Sequence, residues 1–485
     1  MPIVNREREL ALLSELLMQP GPTLVLVTGR RRVGKTFLLS RAWPSESTFL
    51  FTATETTPEQ NRRQLVLDAA AWSGEDMRPE DYPTWRAVFD RLWRLREPQP
   101  LVIVLDEFQY FATGDRGLAE VTSAINATLE GQAVNRPFVL VLSGSAVSTM
   151  ESLASGGAPL FGRLATHVRL EPLEAYDTAD FVPAWSLRDK ASAYGILGGT
   201  PAYWAALDPK SDLRRNVARL LLAPPGTLRL QLDTLLTQKE GLGDTAAYNA
   251  IVRAVAGGAT TRPRIADASG LKPDTSLLRR LNRLVEVGLL SHVDVIEAPA
   301  KSPVRYRLAD PALRFYHVFI SPYSSLLERS DPLKVYDEVV LPRLDTFLGL
   351  AFEGFVAPTY ERLSGPRSLP MVQRWSRWEG HRVGQSVEVD VVAPLVDKRV
   401  MTGSVKFSSR PIGPNAFFDH LDAVRRVAEA GLRWANLASR GGPLFFLSAA
   451  GFTDRFRDAA RSYEGSVLTW SLDDVYAPAN TRTGR

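Results

Sequence analysis

The segment Gly29-Arg30-Arg31-Arg32-Val33-Gly34-Lys35-Thr36 constrains this chain more than any other feature. It follows an apolar, β-rich run at Thr23–Val27 and leads into a helical pattern at 35–43. A G-x-x-x-x-G-K-[ST] loop between a strand and a helix cradles phosphate. Glycines let the backbone curl so that successive N–H groups converge on phosphate oxygens, and the helix N-terminus adds the positive end of its dipole. Lys35 is expected to reach the β- and γ-phosphates and the Thr36 hydroxyl to ligate Mg²⁺. The expected contact set is therefore Gly29, Arg30, Arg31, Arg32, Val33, Gly34, Lys35, Thr36 and the adjoining Phe37, with ATP and Mg²⁺ as cofactors.

Two further runs, Leu101–Leu105 and Phe138–Leu142, are continuously apolar, the pattern of strands buried on both faces. Separated by helical stretches, they imply a parallel sheet with helices on both sides. The first run ends in Asp106-Glu107. Ligands sit at strand ends in open α/β sheets, so Asp106 is expected in the Mg²⁺ shell and Glu107 as the group that orients and deprotonates an attacking water. Ser143 and Ser145 follow the second run. One of them is expected near the γ-phosphate or the water, unless both simply cap the next helix. Arg163 is a candidate charge-stabiliser at the γ-phosphate, in cis or from a neighbouring subunit of a homo-oligomer.

Composition narrows the partners. The 485 residues carry 58 Lys+Arg against 54 Asp+Glu, so net charge alone argues for no nucleic acid. Only nine of the basic residues are lysine, which makes Lys35 and Lys406 stand out. Cysteine is absent, excluding disulfides, thiolate metal sites and a cysteine nucleophile. No apolar run approaches a membrane span and the N-terminus lacks a signal-peptide pattern, so no membrane partner and a cytoplasmic location are expected.

Residues 174–240 read as mostly helical, interrupted by Gly198-Gly199-Thr200-Pro201. Helical patterns at 245–256, 263–269 and 274–287 then precede a polar hairpin, the winged-helix arrangement. Arg279, Arg280 and Arg283 fall on its third helix, and Arg305 and Arg307 near the wing, making double-stranded DNA a candidate partner. The stretch 321–345 reads as linker, and 346–485 alternates helix and strand again.

VNREREL, GRRRVGKT, IVLDEFQY, LVLSGSAVSTMESL, PLFGR and YGILGGTPAYW, in this order over residues 4–204, resemble the archaeal-type ATPases, a branch of the AAA+/STAND P-loop NTPases. The resemblance continues through VRYRLADPALRFYHVF. It implies that Asn5 and Arg6 lie near the adenine. It also implies that the C-terminal third is similar to a PD-(D/E)xK nuclease-like core, with Glu353, Asp390 and Lys406 in the matching positions. There the pattern wants an acid two residues before the lysine, and this chain has Ser404. A neutral serine removes a hard anionic ligand. Glu388 shares a strand face with Asp390 and is a potential substitute.

The expected architecture is thus α/β: a P-loop NTPase parallel sheet at 1–173, a helical lid at 174–240, a winged-helix domain at 241–325 and an α/β restriction-endonuclease-like domain at 340–485. The favoured reading is a Mg²⁺-dependent ATPase whose nucleotide state controls the winged helix and the nuclease-like domain. The alternatives are a STAND-type switch acting through a protein partner, and an ATP-controlled DNA nuclease; Ser404 argues against cleavage.

Overall fold

The computed structural model describes residues 4–19, 21–96, 99–131, 136–234, 244–297, 304–382 and 385–479. They divide into two compact units, Met1–Pro172 with Thr200–Ala202, and Leu173–Gly199 with Tyr203–Arg485.

The first unit is built on β1 (Pro22–Gly29), β2 (Thr48–Thr52), β3 (Leu101–Asp106), β4 (Phe138–Gly144) and β5 (Leu164–Leu170), ordered β2-β3-β4-β1-β5. Every pairing is parallel. Alternate residues of the apolar runs go to opposite faces, as strand geometry requires. Val25, Val27, Val102, Val104, Val139 and Val141 pack on one side, with Leu13 and Leu16 of the helix Glu7–Leu16 and Leu38 and Leu39 of the helix Lys35–Leu39. Leu24, Leu26, Ile103, Leu105, Leu140 and Leu142 pack on the other. Helices Pro58–Ser73, Trp85–Leu92 and Gly114–Gly131 cover that second face through Leu65, Phe89 and Ile125. The carboxyl ends of β1, β3 and β4 therefore lie along one edge.

In the second unit, helices Thr245–Ala256, Arg262–Ser269 and Thr275–Glu286 precede an antiparallel ribbon, β6 (Leu290–His292) with β7 (Tyr306–Leu308). Asp274 starts the third helix by accepting from the backbone N–H groups of Ser276 and Leu277, which would otherwise be orphaned. Leu277, Leu281 and Leu284 form its buried stripe. A bridge from Thr261 to Arg305 adds a third short rung beside the ribbon.

The stretch 321–345 is not linker. Ser324–Leu327 and Pro332–Val335 are helical, and the latter runs through a π-helical turn at Tyr336–Val340 into the helix Leu341–Glu353. Leu327, Val335, Tyr336 and Val340 are buried. Pro322, Pro332 and Pro342 read as breaks in sequence, but Pro332 lies in the first turn after the extended Asp331, where proline leaves no hydrogen bond unmade, and Pro322 and Pro342 each follow a π-helical turn that carries the helical path past them.

A second sheet follows: β8 (Ser376–Arg382), β9 (Gln385–Pro394), β10 (Val400–Lys406), β11 (Leu444–Ser448) and β12 (Val467–Trp470), in the order β12-β11-β10-β9-β8. The pairs β10–β11 and β11–β12 are parallel, whereas β8–β9 and β9–β10 are antiparallel. The crossover from β10 to β11 carries helices Pro414–Glu429 and Arg433–Ala438.

Candidate functional site

The loop after β1 turns on two glycines. A Cβ on Gly29 would lie 2.6 Å from the Leu170 carbonyl oxygen and 2.9 Å from Val33 Cγ1, so β5 and the loop close in only because none is there. Gly34 has φ +97°, a conformation that side chains disfavour. The Lys35 ammonium is buried at 5% exposure and donates to the carbonyls of Gly29 (3.0 Å) and Arg30 (3.3 Å). Burial lowers its pKa, while Glu107 and Asp106 oppose the shift.

The strand ends bring the acid pair to this loop. Asp106 is fully buried, and its Oδ2 accepts from Thr36 Oγ1 at 2.5 Å. Asp106 Oδ1 accepts from the Glu107 backbone N–H at 3.0 Å. Glu107 has a left-handed backbone, φ 50°, which turns the chain sharply out of β3. Its Oε2 accepts from Ser145 Oγ at 2.7 Å, Gln109 Nε2 at 2.5 Å and the Ser145 backbone N–H at 3.3 Å. Burial works to raise this carboxyl, but the hydrogen bonds from Ser145 and Gln109, with Lys35 and Arg31 nearby, hold it below its ordinary value.

Of the two serines after β4, Ser145 is the one on Glu107. Ser143 is fully buried, and its Oγ has no hydrogen-bond partner among the described residues; Gln109 Oε1 is likewise unsatisfied. Sequence reasoning missed Gln109, because a glutamine two residues beyond an acid carries no signal until the 3-10 turn Phe108–Phe111 folds it back. It also missed Tyr110, whose hydroxyl accepts from Arg31 of the loop at 2.6 Å.

Arg163 lies on an exposed turn before β5 and pairs with Glu130. Arg32 takes a left-handed conformation, φ 68°. Phe37 is on the helix that follows the loop, its ring under the Arg41 guanidinium at 3.7 Å. Asn5 and Arg6 precede the first helix, and Arg6 donates to the Glu171 carbonyl at 2.5 Å. Glu171 follows Leu170, the β5 partner of Gly29, so Arg6 is tied to the strand that flanks the loop.

Buried donors and acceptors without partners, a hydroxyl and a carboxylate converging on one point, and a desolvated ammonium form a donor set suited to a phosphate chain with Mg²⁺. Hard oxygen ligands suit that ion, and fixed donors suit phosphate oxygens.

A second polar cluster lies on the other sheet. One carboxylate oxygen from each of Glu353, Glu388 and Asp390 falls within 4.8 Å of the other two. Asp390 Oδ2 accepts from Ser404 Oγ (3.0 Å) and the Val405 backbone N–H (2.8 Å), and lies 3.4 Å from Lys406 Nζ. Arg377 Nη1 donates to Glu353 at 2.9 Å, and its Nη2 donates to Glu388. Burial pushes the Glu353 carboxyl up to about 7 against the pull of Arg377.

On the third small helix, Arg280 is paired with Asp244 and Arg283 with Glu286, while Arg279 is exposed. Arg305 is paired with Glu379, and Arg307 donates to Ser291 Oγ.

A five-stranded parallel sheet with a phosphate loop after its first strand places the first unit in the P-loop NTPase fold class. Residues 316–413, in the second unit, match a family described as "Archaea bacterial proteins of unknown function" (DUF234). Over 402 residues the chain is 26% identical to an uncharacterized protein of Methanocaldococcus jannaschii, covering 80% of this chain and 84% of that one. Among solved structures, a Walker-type ATPase of Pyrococcus abyssi aligns with TM-score 0.47 and 21% identity, covering 65% of this chain and 96% of that chain. The Aeropyrum pernix ORC2 protein, solved with ADPNP and ADP, aligns with TM-score 0.41 and 16% identity over 71% of this chain and 96% of that one. Among the described residues, no helix is long and apolar enough to cross a membrane.

Proposed function

We propose that the chain is a Mg²⁺-dependent ATPase whose nucleotide state governs its second unit. The observation that carries this is the meeting of Thr36 and Asp106 at 2.5 Å beside a buried Lys35, all at one sheet edge. In this reading the loop N–H groups from Arg30 to Thr36 and Lys35 bind the phosphates, and Asn5 and Arg6 border the adenine. Thr36 and Asp106 would hold Mg²⁺, which supplies positive charge to the β- and γ-phosphates. Glu107 orients a water and takes its proton as the water oxygen bonds to the γ-phosphorus and the bond to the bridging oxygen breaks, releasing ADP. Ser143 offers a hydroxyl at the same strand end, and Arg163 the charge-stabiliser, in cis or from a second copy. Purified protein should release phosphate from ATP only with Mg²⁺, and Lys35→Ala should lose both nucleotide binding and turnover. Wild-type turnover in that variant would overturn the assignment.

One observation favours a slower device over a fast ATPase. One oxygen of the Glu107 carboxylate, Oε2, already accepts from three donors, which fixes the group in place. A base held this way suits a STAND-type switch that retains nucleotide and acts through a partner. A single-turnover rate far below one per second, with nucleotide retained through purification, would support it.

For the helix–ribbon module at 245–308 we propose contact with duplex DNA through the helix Thr275–Glu286. Arg279 is its exposed arginine that forms none of the ion pairs described.

A further inference from the structure

Six charged side chains, Glu353, Arg377, Glu379, Glu388, Asp390 and Lys406, meet at one corner of the second sheet, and two of them sit opposite each other by register. Glu379 of β8 and Glu388 of β9 are cross-strand partners, a like-charge pair that is destabilising unless neutralised. The register of β8 against β9 slips between Ser376 and Trp378, so Arg377 occupies the irregularity. A bulge re-aims the side chain it carries. Here the Arg377 guanidinium is turned between Glu353 and Glu388, with Glu379 at 3.9 Å, and its side chain keeps only 15% exposure. Asp390, the fourth acid, is met by Lys406, Ser404 and a backbone N–H.

A nuclease-like core would place a divalent cation among these carboxylates. This donor set does not fit one. One oxygen of Glu353 and one of Glu388 already accept from Arg377, whose guanidinium brings a positive charge among the acids, and Ser404 stands where a further anionic ligand is needed.

The backbone of Arg377 has a second set of partners. The Arg377 N–H donates to the Asp294 carbonyl at 3.3 Å, and the Ile296 N–H donates to the Arg377 carbonyl at 3.1 Å. Val295 thereby forms an isolated parallel bridge with Arg377, on the side of β8 away from β9, in the segment that leaves β6. Asp294 also pairs with Arg374, Arg305 pairs with Glu379, and Glu297 accepts from the backbone N–H groups of Arg433 and Trp434. The residues that would form a wing are thus docked on the second sheet, and the docking runs through the residue that neutralises the cluster.

We propose that Arg377 is the resident cation of the Glu353–Glu388–Asp390 cluster, replacing a metal ion, and that its seating fastens the ribbon to the second sheet. The cluster is then an internal ion-pair joint between the helix–ribbon module and the C-terminal sheet. Removing one member of such a partly buried network leaves the others uncompensated, so the joint should respond sharply to single substitutions.

The test uses the full chain without nucleotide. Mn²⁺ titrated into wild type by calorimetry should give no heat that Glu388→Gln abolishes, and Mn²⁺ should leave the wild-type melting curve in place. Arg377→Ala should melt lower, by about 3 °C or more, and recover part of that loss in millimolar Mn²⁺, a cation replacing a cation. Arg377→Lys keeps a charge but cannot span two carboxylates in plane, and should melt between the two if Arg377→Ala does not fold. Hydrogen exchange at the Ile296 amide should quicken by about tenfold or more in Glu353→Gln/Glu388→Gln. Saturable Mn²⁺ binding by wild type that Glu388→Gln removes would overturn the replacement. Unchanged Ile296 exchange in the double variant would overturn the fastening.

Discussion

Ser145 Oγ donates to Glu107 Oε2 across 2.7 Å, joining the carboxyl ends of β4 and β3. The acid expected to receive a proton from water is therefore already a hydrogen-bond acceptor from its own sheet. This contact gives the proposed chemistry its most direct test. Ser145→Ala removes a donor to a charged group, worth roughly 1.5–3 kcal/mol, and should raise single-turnover hydrolysis by ~10-fold if the contact restrains the base. A fall in rate would instead make Ser145 part of the productive geometry. Glu107→Gln should retain ATP and slow hydrolysis by ~10² or more, read in the same assay.

Gly29→Ala tests the loop itself. The new methyl would press on the Leu170 carbonyl and Val33, neither the free end of a flexible chain. Denaturant unfolding should show a loss of roughly 1–3 kcal/mol, and binding of a fluorescent ATP analogue should weaken at the same time. Stability loss with full affinity would show that the loop tolerates displacement.

His317 gives a stability signature against pH. It is buried at 8% exposure, and burial, with Arg253 nearby, lowers its pKa from 6.5 to about 4. The unfolded chain takes a proton on this ring as pH falls through 6.5, whereas the folded chain does so only near 4. The stability it contributes is full above pH 6.5 and is lost progressively between 6.5 and 4, by on the order of 3 kcal/mol. Denaturant curves at a series of pH values should show this slope, and His317→Phe should flatten it.

Arginines on the helix Thr275–Glu286 should separate by function. Arg279→Ala should weaken duplex binding and reduce the slope against log salt by ~1, the signature of one lost phosphate contact. Arg280→Ala should act mainly through the lost Asp244 contact, changing melting temperature more than the slope. Equal slope changes for both would mean that the Asp244 pair opens on DNA.

The sheet of the first unit was legible because its strands are buried on both faces, and a continuous run such as Leu101–Leu105 has few other homes. The loop and acid pair were legible because spacing and strand context act together. Gln109 was not, and Ser145 was legible only as one of two candidate serines, since their meeting at Glu107 depends on a 3-10 turn and on the neighbouring strand. The helical segments of 321–353 were obscured by three prolines whose meaning depends on the backbone around them. Arg377 was invisible for a similar reason. Its aim comes from a register slip between strands, and no periodicity in one strand records what its partner does.

The bridge between Val295 and Arg377 also bears on how the chain is made. Val295 leaves the ribosome roughly eighty residues before its partner, at a stage when domains begin to fold in order of synthesis. Until Ser376–Arg382 emerges, the segment 293–297 has open backbone groups and the apolar side chain of Ile296 without the surface that covers it. A nascent or truncated chain ending before β8 would thus leave Ile296 and these backbone groups uncovered, the kind of transiently exposed surface through which unfinished chains associate. Fragments for expression are better cut outside 290–380 than within it.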